Sequence, residues 1–403
     1  MGKGNAARRF AETFLLNRKY SSVEISGKLK GMKTGYFLLL GILVWACAAH
    51  SGGEVTPETP TPTDPPLFYV PKNFPQPLYP TGKNPITPEG FTLGKTLFYD
   101  GVLSRDSTIA CGECHRQNYG FTHHLHDLSH GINGRTGLRN AQPLHNLAWE
   151  DSFLWDGAVT DLDQQPLTPI QHPDEMDDTM DNVLKKLRRR PAYPAMYKAA
   201  FGTEEITQER TLQALSQFLR ALVSANSKYD KYVRKEAGGT LTPDELAGLQ
   251  LFKDKGCANC HAGELFTDHS FRNNGLSLFE RTKVEYVNEK PTLIQVIDEG
   301  RARVTGKAED RYRFKVPSLR NVANTLPYMH DGRFQTLAQV LDHYASGVQD
   351  TPNLDPLLKQ NGRLGIPLTD DEKKKLLAFL NTLSDTQYLN DPRFAEPPGF
   401  PVR

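Results

Sequence analysis

The most regular pattern along the chain is helical. In TLQALSQFLRAL, Leu212, Leu215, Phe218, Leu219 and Leu222 recur at the spacing of a single helix face. Three capping boxes mark helix starts: Thr242-Pro-Asp-Glu245, Thr336-Leu-Ala-Gln339 and Thr369-Asp-Asp-Glu372, the last ahead of KKKLLAFLNTL. The first has proline at the first helical position, where its missing N–H costs nothing. After the second box, Leu337, Val340, Leu341 and Tyr344 fall on one face, so Tyr344 is predicted to point inward. No segment alternates convincingly as a strand. Gly (32) and Pro (28) are frequent, which predicts long loops between the helices. The expectation is a mainly α protein with long functional loops, and 403 residues suffice for two domains.

The N-terminal part follows a different pattern. Tyr36 to Ala46 is an apolar run of eleven residues, a signal-peptide core and too short for the roughly 20 apolar residues of a spanning helix. It ends in Val44-Trp45-Ala46-Cys47, similar to a bacterial lipobox, so residues 32–47 are predicted to be a signal with Cys47 lipidated. Residues 48–66 are rich in Pro and Thr and predict an extended tether. Residues 1–31 remain unassigned; a start codon placed too early would account for them. The net charge of +1 gives no basic stripe for nucleic acid.

Four of the five cysteines lie in two motifs, Cys111-Gly-Glu-Cys114-His115 and Cys257-Ala-Asn-Cys260-His261. In such a motif two thiols add across the vinyl groups of haem and the histidine binds iron. A zinc site would want four closed ligands, and a redox dithiol would not need His115 or His261. Two complete motifs in an exported chain therefore predict two c-type haems. Each motif heads its own segment, which divides the folded part into 67–238 and 239–403. Beyond the motif the halves show no obvious repeat.

Several stretches make the chain similar to the bacterial di-haem cytochrome c peroxidase / MauG family over residues 88–385. They are LGKTLFYDGVLSRDSTIACGECH, RNAQPLHNLAWEDSFLWDG and PLTPIQHPDEM, then FKVPSLRNVANTLPYMHDGRF and TLAQVLDHYASG. The resemblance implies two cytochrome c-like domains, each with one covalently bound haem, the first reacting with hydrogen peroxide and the second passing electrons. Gln165 stands ten residues after Trp155, and Glu175 ten after Gln165. That spacing matches the family's peroxide site, with Glu175 as the distal acid. On the residues alone, Glu175 in HPDEMDD reads as well as a helix cap. Trp155 would relay electrons between the haems. Asn140, Thr325 and the Pro327 carbonyl match the family's calcium site.

The resemblance also bears on the far-side iron ligands. His123, His124, His126 and His130 crowd into FTHHLHDLSHG, and His130 before Gly131 matches a displaceable distal histidine. At the second haem, family peroxidases use methionine and MauG uses tyrosine, fourteen residues beyond the histidine of PYMHDG; here that position is Tyr344. Met329 and His343 are the competing candidates. MauG's surface tryptophan before the second motif has no counterpart in LFKDKG. The leading expectation is a periplasmic, membrane-tethered di-haem peroxidase fed by a small redox protein, such as a monohaem cytochrome c or a cupredoxin. The alternatives are a MauG-like oxidase of a protein or other substrate and a non-enzymatic electron-transfer cytochrome.

Overall fold

A computed structural model describes residues 66–80, 82–278, 281–287 and 290–397. The expectations for residues 1–31, 32–47 and 48–65, including Cys47, lie outside the described residues. The rest is mainly α, as expected.

Two helix pairs organise the fold. Pro88–Tyr99 packs on Gln208–Ala221, and Pro243–Asp254 packs on Asp370–Asn381. The leading helix of each pair starts alike. Thr87 or Thr242 accepts the capping bond and proline takes the first helical position. Each then crosses its partner at a glycine. A Cβ on Gly94 would run into the carbonyl oxygen of Ala214, and one on Gly248 into that of Lys375. Beyond the glycine, both helices carry Leu-Phe, and the phenylalanine enters an aromatic trio. Phe98, Phe121 and Phe218 form the first, with centroids 5.0–6.5 Å apart. Phe252, Phe266 and Phe379 form the second, at 5.3–6.1 Å.

A second module also recurs, contrary to the expectation of no repeat. In each half an asparagine in the left-handed region, Asn146 or Asn321, opens a short 3-10 turn. Eleven residues later comes the glycine of a Trp-Asp-Gly or His-Asp-Gly turn, Gly157 or Gly332. Phe153 N donates to Val159 O and Tyr328 N to Phe334 O, both at 2.7 Å. The side chains agree too. Asn146 clasps the backbone of Ser224, and Asn321 accepts from Asp385 N at 2.8 Å.

Each trio sits in its own hydrophobic cluster. Tyr388, Leu389 and Phe394 near the C-terminus belong to the first cluster, where Tyr99 Oη donates to Phe394 O at 2.8 Å. The clusters are also tied by a fully buried ion pair, Arg320 donating to both carboxylate oxygens of Asp230 at 2.8 and 2.9 Å. Strands are present as well, where none was expected. Arg281–Val287 and Lys290–Val296 pair antiparallel from Arg281 opposite Val296 to Val287 opposite Lys290. The stretch RTKVEYV does alternate, but it is short and lies in a long loop region.

Gly248→Ala should destabilise the fold by about 1–3 kcal/mol, because the helices must part. Alanine's better helix propensity, about 1 kcal/mol, will not offset that. An unchanged urea midpoint would show that the crossing does not need the glycine.

Candidate functional site

At the first motif, Cys111–Cys114 form one helical turn, and His115 N closes it onto Cys111 O at 2.9 Å. The chain then doubles back through Arg116 and Thr122, so that Phe121, at φ 60°, presents its carbonyl to the histidine. His115 Nδ1 donates to Phe121 O at 2.7 Å. That bond selects the tautomer whose Nε2 lone pair is free to bind a metal. Burial holds the ring below its ordinary pKa, the carbonyls of Phe121 and Gln142 opposing. Both thiols are free and half-buried.

These groups open into a cavity of about 510 Å³, within the range of cofactor sites. Phe98, Leu215 and Leu219 make part of its wall apolar. His145, buried in the same wall, leaves both ring nitrogens without a protein partner. Buried polar atoms are rarely left so, and a polar occupant would answer them. Thiols, a metal-ready imidazole and an apolar cavity together fit a c-type haem.

The expected site residues converge on this cavity: Trp155, Gln165, Glu175 and His130 all line it. Glu175 does not cap a helix. The helix Met180–Arg189 is capped by Thr179, and Glu175 sits in the turn before it. Its carbonyl accepts from Ile132 N at 2.9 Å, which fixes the turn. Burial, and then the charge of Asp174, push the Glu175 carboxyl up to about 7. Its charge reaches both Cys111 and Cys114. Gln165 lies in the turn ahead of Leu167–Gln171. Trp155 is buried, with Nε1 donating to Asn140 O at 2.9 Å and its carbonyl accepting from Lys315 N at 2.8 Å.

The four clustered histidines divide. His124 stacks on Tyr119 at 3.6 Å. His123 stacks on His126 at 4.1 Å, and His126 Nδ1 lies 3.3 Å from His130 Nε2. At the expected calcium position, Asn140 N donates to His330 O at 2.7 Å, which brings Asn140 against the segment that holds Thr325 and Pro327. Among the described residues, no group of three or more His, Cys, Asp or Glu side chains is arranged to hold a metal ion. Sequence reading missed a buried network in the cavity wall. Lys315 pairs with Glu150 and donates to Ser152 O at 2.7 Å, while His269 Nδ1 donates to Glu150 at 3.2 Å. Burial raises the Glu150 carboxyl, but Lys315 and His269 outweigh it and hold it at about 2.

The second motif repeats the histidine anchor. His261 Nδ1 faces Phe266 O at 3.2 Å and Pro317 O at 3.1 Å, and Phe266 also has positive φ, at 54°. Two of the three candidate far-side residues, His343 and Met329, meet at Asn274, which sequence reading gave no reason to single out. His343 Nε2 donates to Asn274 O at 2.9 Å, and Asn274 Nδ2 donates to Met329 Sδ at 3.4 Å. Burial pushes the Tyr344 hydroxyl up to about 12, Asn274 opposing and the charges of Cys260 and Cys257 adding to it. It therefore lies within electrostatic reach of both thiols. The helix does not run on regularly as the periodicity suggested. After Leu337–Asp342 it widens into a π-turn, His343–Gly347, which frees the Tyr344 carbonyl to accept from Ile366 N at 2.7 Å.

Two such anchored CxxCH turns describe a c-type cytochrome architecture with two haem positions. The profile "Di-haem cytochrome c peroxidase" matches residues 88–238. The chain is 35% identical to the methylamine utilization protein MauG of Methylorubrum extorquens, over 78% of this chain and 83% of that one. It is 34% identical to the cytochrome c551 peroxidase of Nitrosomonas europaea, over 75% and 83%. It superposes on the crystal structure of a MauG-like protein associated with microbial copper homeostasis with TM-score 0.70 at 32% identity, covering 81% of this chain and 98% of that one. The chain belongs to the di-haem cytochrome c peroxidase / MauG family of oxidoreductases, which implies two c-type haems.

Proposed function

We propose that the chain reduces hydrogen peroxide to water at the N-terminal site, with electrons from a small redox protein entering at the C-terminal site. The observation that carries this reading is Glu175, whose carboxyl is pushed up to about 7 in the wall of the cavity that Cys111, Cys114 and His115 open into. The domains 67–238 and 239–403 would each hold one haem, through Cys111, Cys114 and His115 and through Cys257, Cys260 and His261. When bound, the haems supply the iron that takes up peroxide and a store for electrons.

Peroxide, two protons and two electrons give two waters. Glu175 as carboxylate takes the proton from the inner peroxide oxygen and returns it to the outer one, which then leaves as water. Gln165, across the cavity wall, orients the substrate through its amide. Trp155, held between Asn140 and Lys315, carries electrons between the halves. His130 would be a ligand to the N-terminal iron, Tyr344 would be a ligand to the C-terminal iron, and Asn140, Thr325 and the Pro327 carbonyl would hold calcium. Tyr344 also favours a second reading, a MauG-like oxidase of another substrate. The absence of a tryptophan in LFKDKG argues against a protein substrate reached by MauG's route. Steady peroxide consumption with reduced cytochrome c separates the two readings.

Among the described residues no helix is long and apolar enough to cross a membrane. The apolar run before Cys47 supports export to the periplasm and tethering by a lipid on that cysteine. Cys47→Ser should then move the protein to the soluble periplasmic fraction with its haem content intact. A wild-type chain already soluble and without lipid would exclude the tether.

Glu175→Gln should keep both haems and slow peroxide cleavage about 10²-fold or more. Because the carboxylate form begins the transfer, wild-type turnover should fall as pH drops through about 7, and that limb should vanish in the variant. Normal turnover at full haem content would remove Glu175 from the mechanism. Tyr344→Met should raise the potential of the C-terminal haem, since a thioether favours ferrous iron over an anionic oxygen. It should also bring in the charge-transfer band of sulfur-ligated ferric haem. If the wild type already has that band, Tyr344 is a core residue.

A further inference from the structure

His130 Nε2 lies 3.3 Å from His126 Nδ1. One of these two nitrogens carries the proton that they share. If it is His126 Nδ1, the lone pair of His130 Nε2 is occupied in accepting it. If it is His130 Nε2, that nitrogen has no lone pair to offer. A metal needs the same lone pair. With either tautomer, His130 cannot bind iron through Nε2 while this contact stands. The two rings are held differently. His126 lies flat on the buried His123, with centroids 4.1 Å apart and planes 16° from parallel. Its N–H donates to His123 O at 3.2 Å, and its carbonyl accepts from Asn140 Nδ2 at 3.1 Å. It is thus set by the fold, and it meets the His130 ring at 81°. At His130 the backbone is tied on both sides. Ser129 N donates to Arg139 O at 3.2 Å and Gly131 N to Arg135 O at 2.7 Å. The His130 ring itself is exposed at the cavity, and His126 is what it rests on.

Resting on the reading that His130 would be a ligand to the N-terminal iron, we propose that His126 is a positioning residue that holds His130 Nε2 off that iron and so keeps the peroxide position open. Iron and His126 compete for one nitrogen. The open and closed forms therefore differ in the partner of a single atom, and whatever weakens the His126 contact favours closure. His123 serves the same end as the plate that fixes the His126 ring.

The test uses His126→Phe, which keeps an aromatic ring on His123 and removes the nitrogen. His124→Phe is the comparison. It alters the same histidine cluster but keeps the stack on Tyr119 and leaves the pair alone. In the intact holoprotein, electron paramagnetic resonance separates a bis-histidine, low-spin ferric N-terminal haem from a high-spin one with its sixth position open. His126→Phe should raise the low-spin to high-spin ratio roughly fivefold, the effect of losing one hydrogen bond. His124→Phe should stay within about twofold of wild type. An unchanged ratio in His126→Phe overturns the proposal. Equal rises in both variants also overturn it, because any disturbance of the cluster would then suffice. His130→Phe is the control for the underlying reading. If a bis-histidine signal survives in it, or if neither wild type nor His126→Phe shows that signal, His130 is not the ligand, and that reading falls together with this one. If His130→Phe abolishes the signal while His126→Phe changes nothing, only the role of His126 fails.

Discussion

A buried imidazole binds a metal through Nε2 only when Nδ1 carries the proton and has an acceptor for it. In this chain each CxxCH histidine finds that acceptor in the carbonyl of a phenylalanine a few residues on, Phe121 or Phe266. To offer the carbonyl, the phenylalanine must adopt a positive φ that an L-residue resists. Tertiary packing holds it there. Its ring is locked between one phenylalanine from the helix that leads into the motif and another from the crossing helix. Those helices approach closely enough only because Gly94 and Gly248 have no side chain. The metal-ready nitrogen is thus the end of a chain of requirements that begins at a glycine.

The two halves meet this requirement with the same parts, yet they do not stand apart. The Asn146 module clasps the backbone that follows its helix pair at Ser224, and the Asn321 module does so at Asp385. Asn321 Nδ2 also donates to Ser224 Oγ at 2.9 Å, and Ser224 Oγ donates to Asp385 at 3.2 Å. The two clasps therefore share one hydrogen-bond network. Arg320 beside Asn321 adds the buried bond to Asp230. Breaking a buried pair by removing one partner costs about 3–5 kcal/mol. At His145, the position matching Arg320 in the first half, the side chain instead faces the cavity unpartnered. The repeat is therefore broken where the join and the cavity need different chemistry.

The local features were legible in the sequence because a few adjacent residues determine them. The capping boxes at Thr242, Thr336 and Thr369 all form, and so do the two CxxCH turns. The Gly-x-x-Leu-Phe repeat was present but hidden. Its leading helices differ by a residue between threonine and glycine, and Cys111 comes thirteen residues after Phe98 but Cys257 only five after Phe252. Asn274 could not be read at all. Its partners Met329 and His343 lie 55 or more residues away in sequence, and nothing local marks an asparagine in Asn-Asn-Gly for such contacts. Glu175 was legible as an acid. What sets it apart from the other acids of HPDEMDD is a carboxyl pushed up to about 7 in the cavity wall, which periodicity does not report.

The two sites differ most in what surrounds the metal position beyond the histidine. At the first, a cavity of about 510 Å³ reaches Glu175, and the histidine that could close it, His130, is exposed on a loop beside His126. At the second, Met329 and His343 are bound to a single asparagine, and the helix widens into a π-turn at Tyr344. In the proposed reading, a site that must admit peroxide keeps its sixth position conditional. A site that only passes electrons fills it with Tyr344, on a helix that the fold holds in place. On that reading, the same scaffold yields a reactive centre and a relay, and what separates them is whether the residues near each histidine are held by the fold or left on a loop.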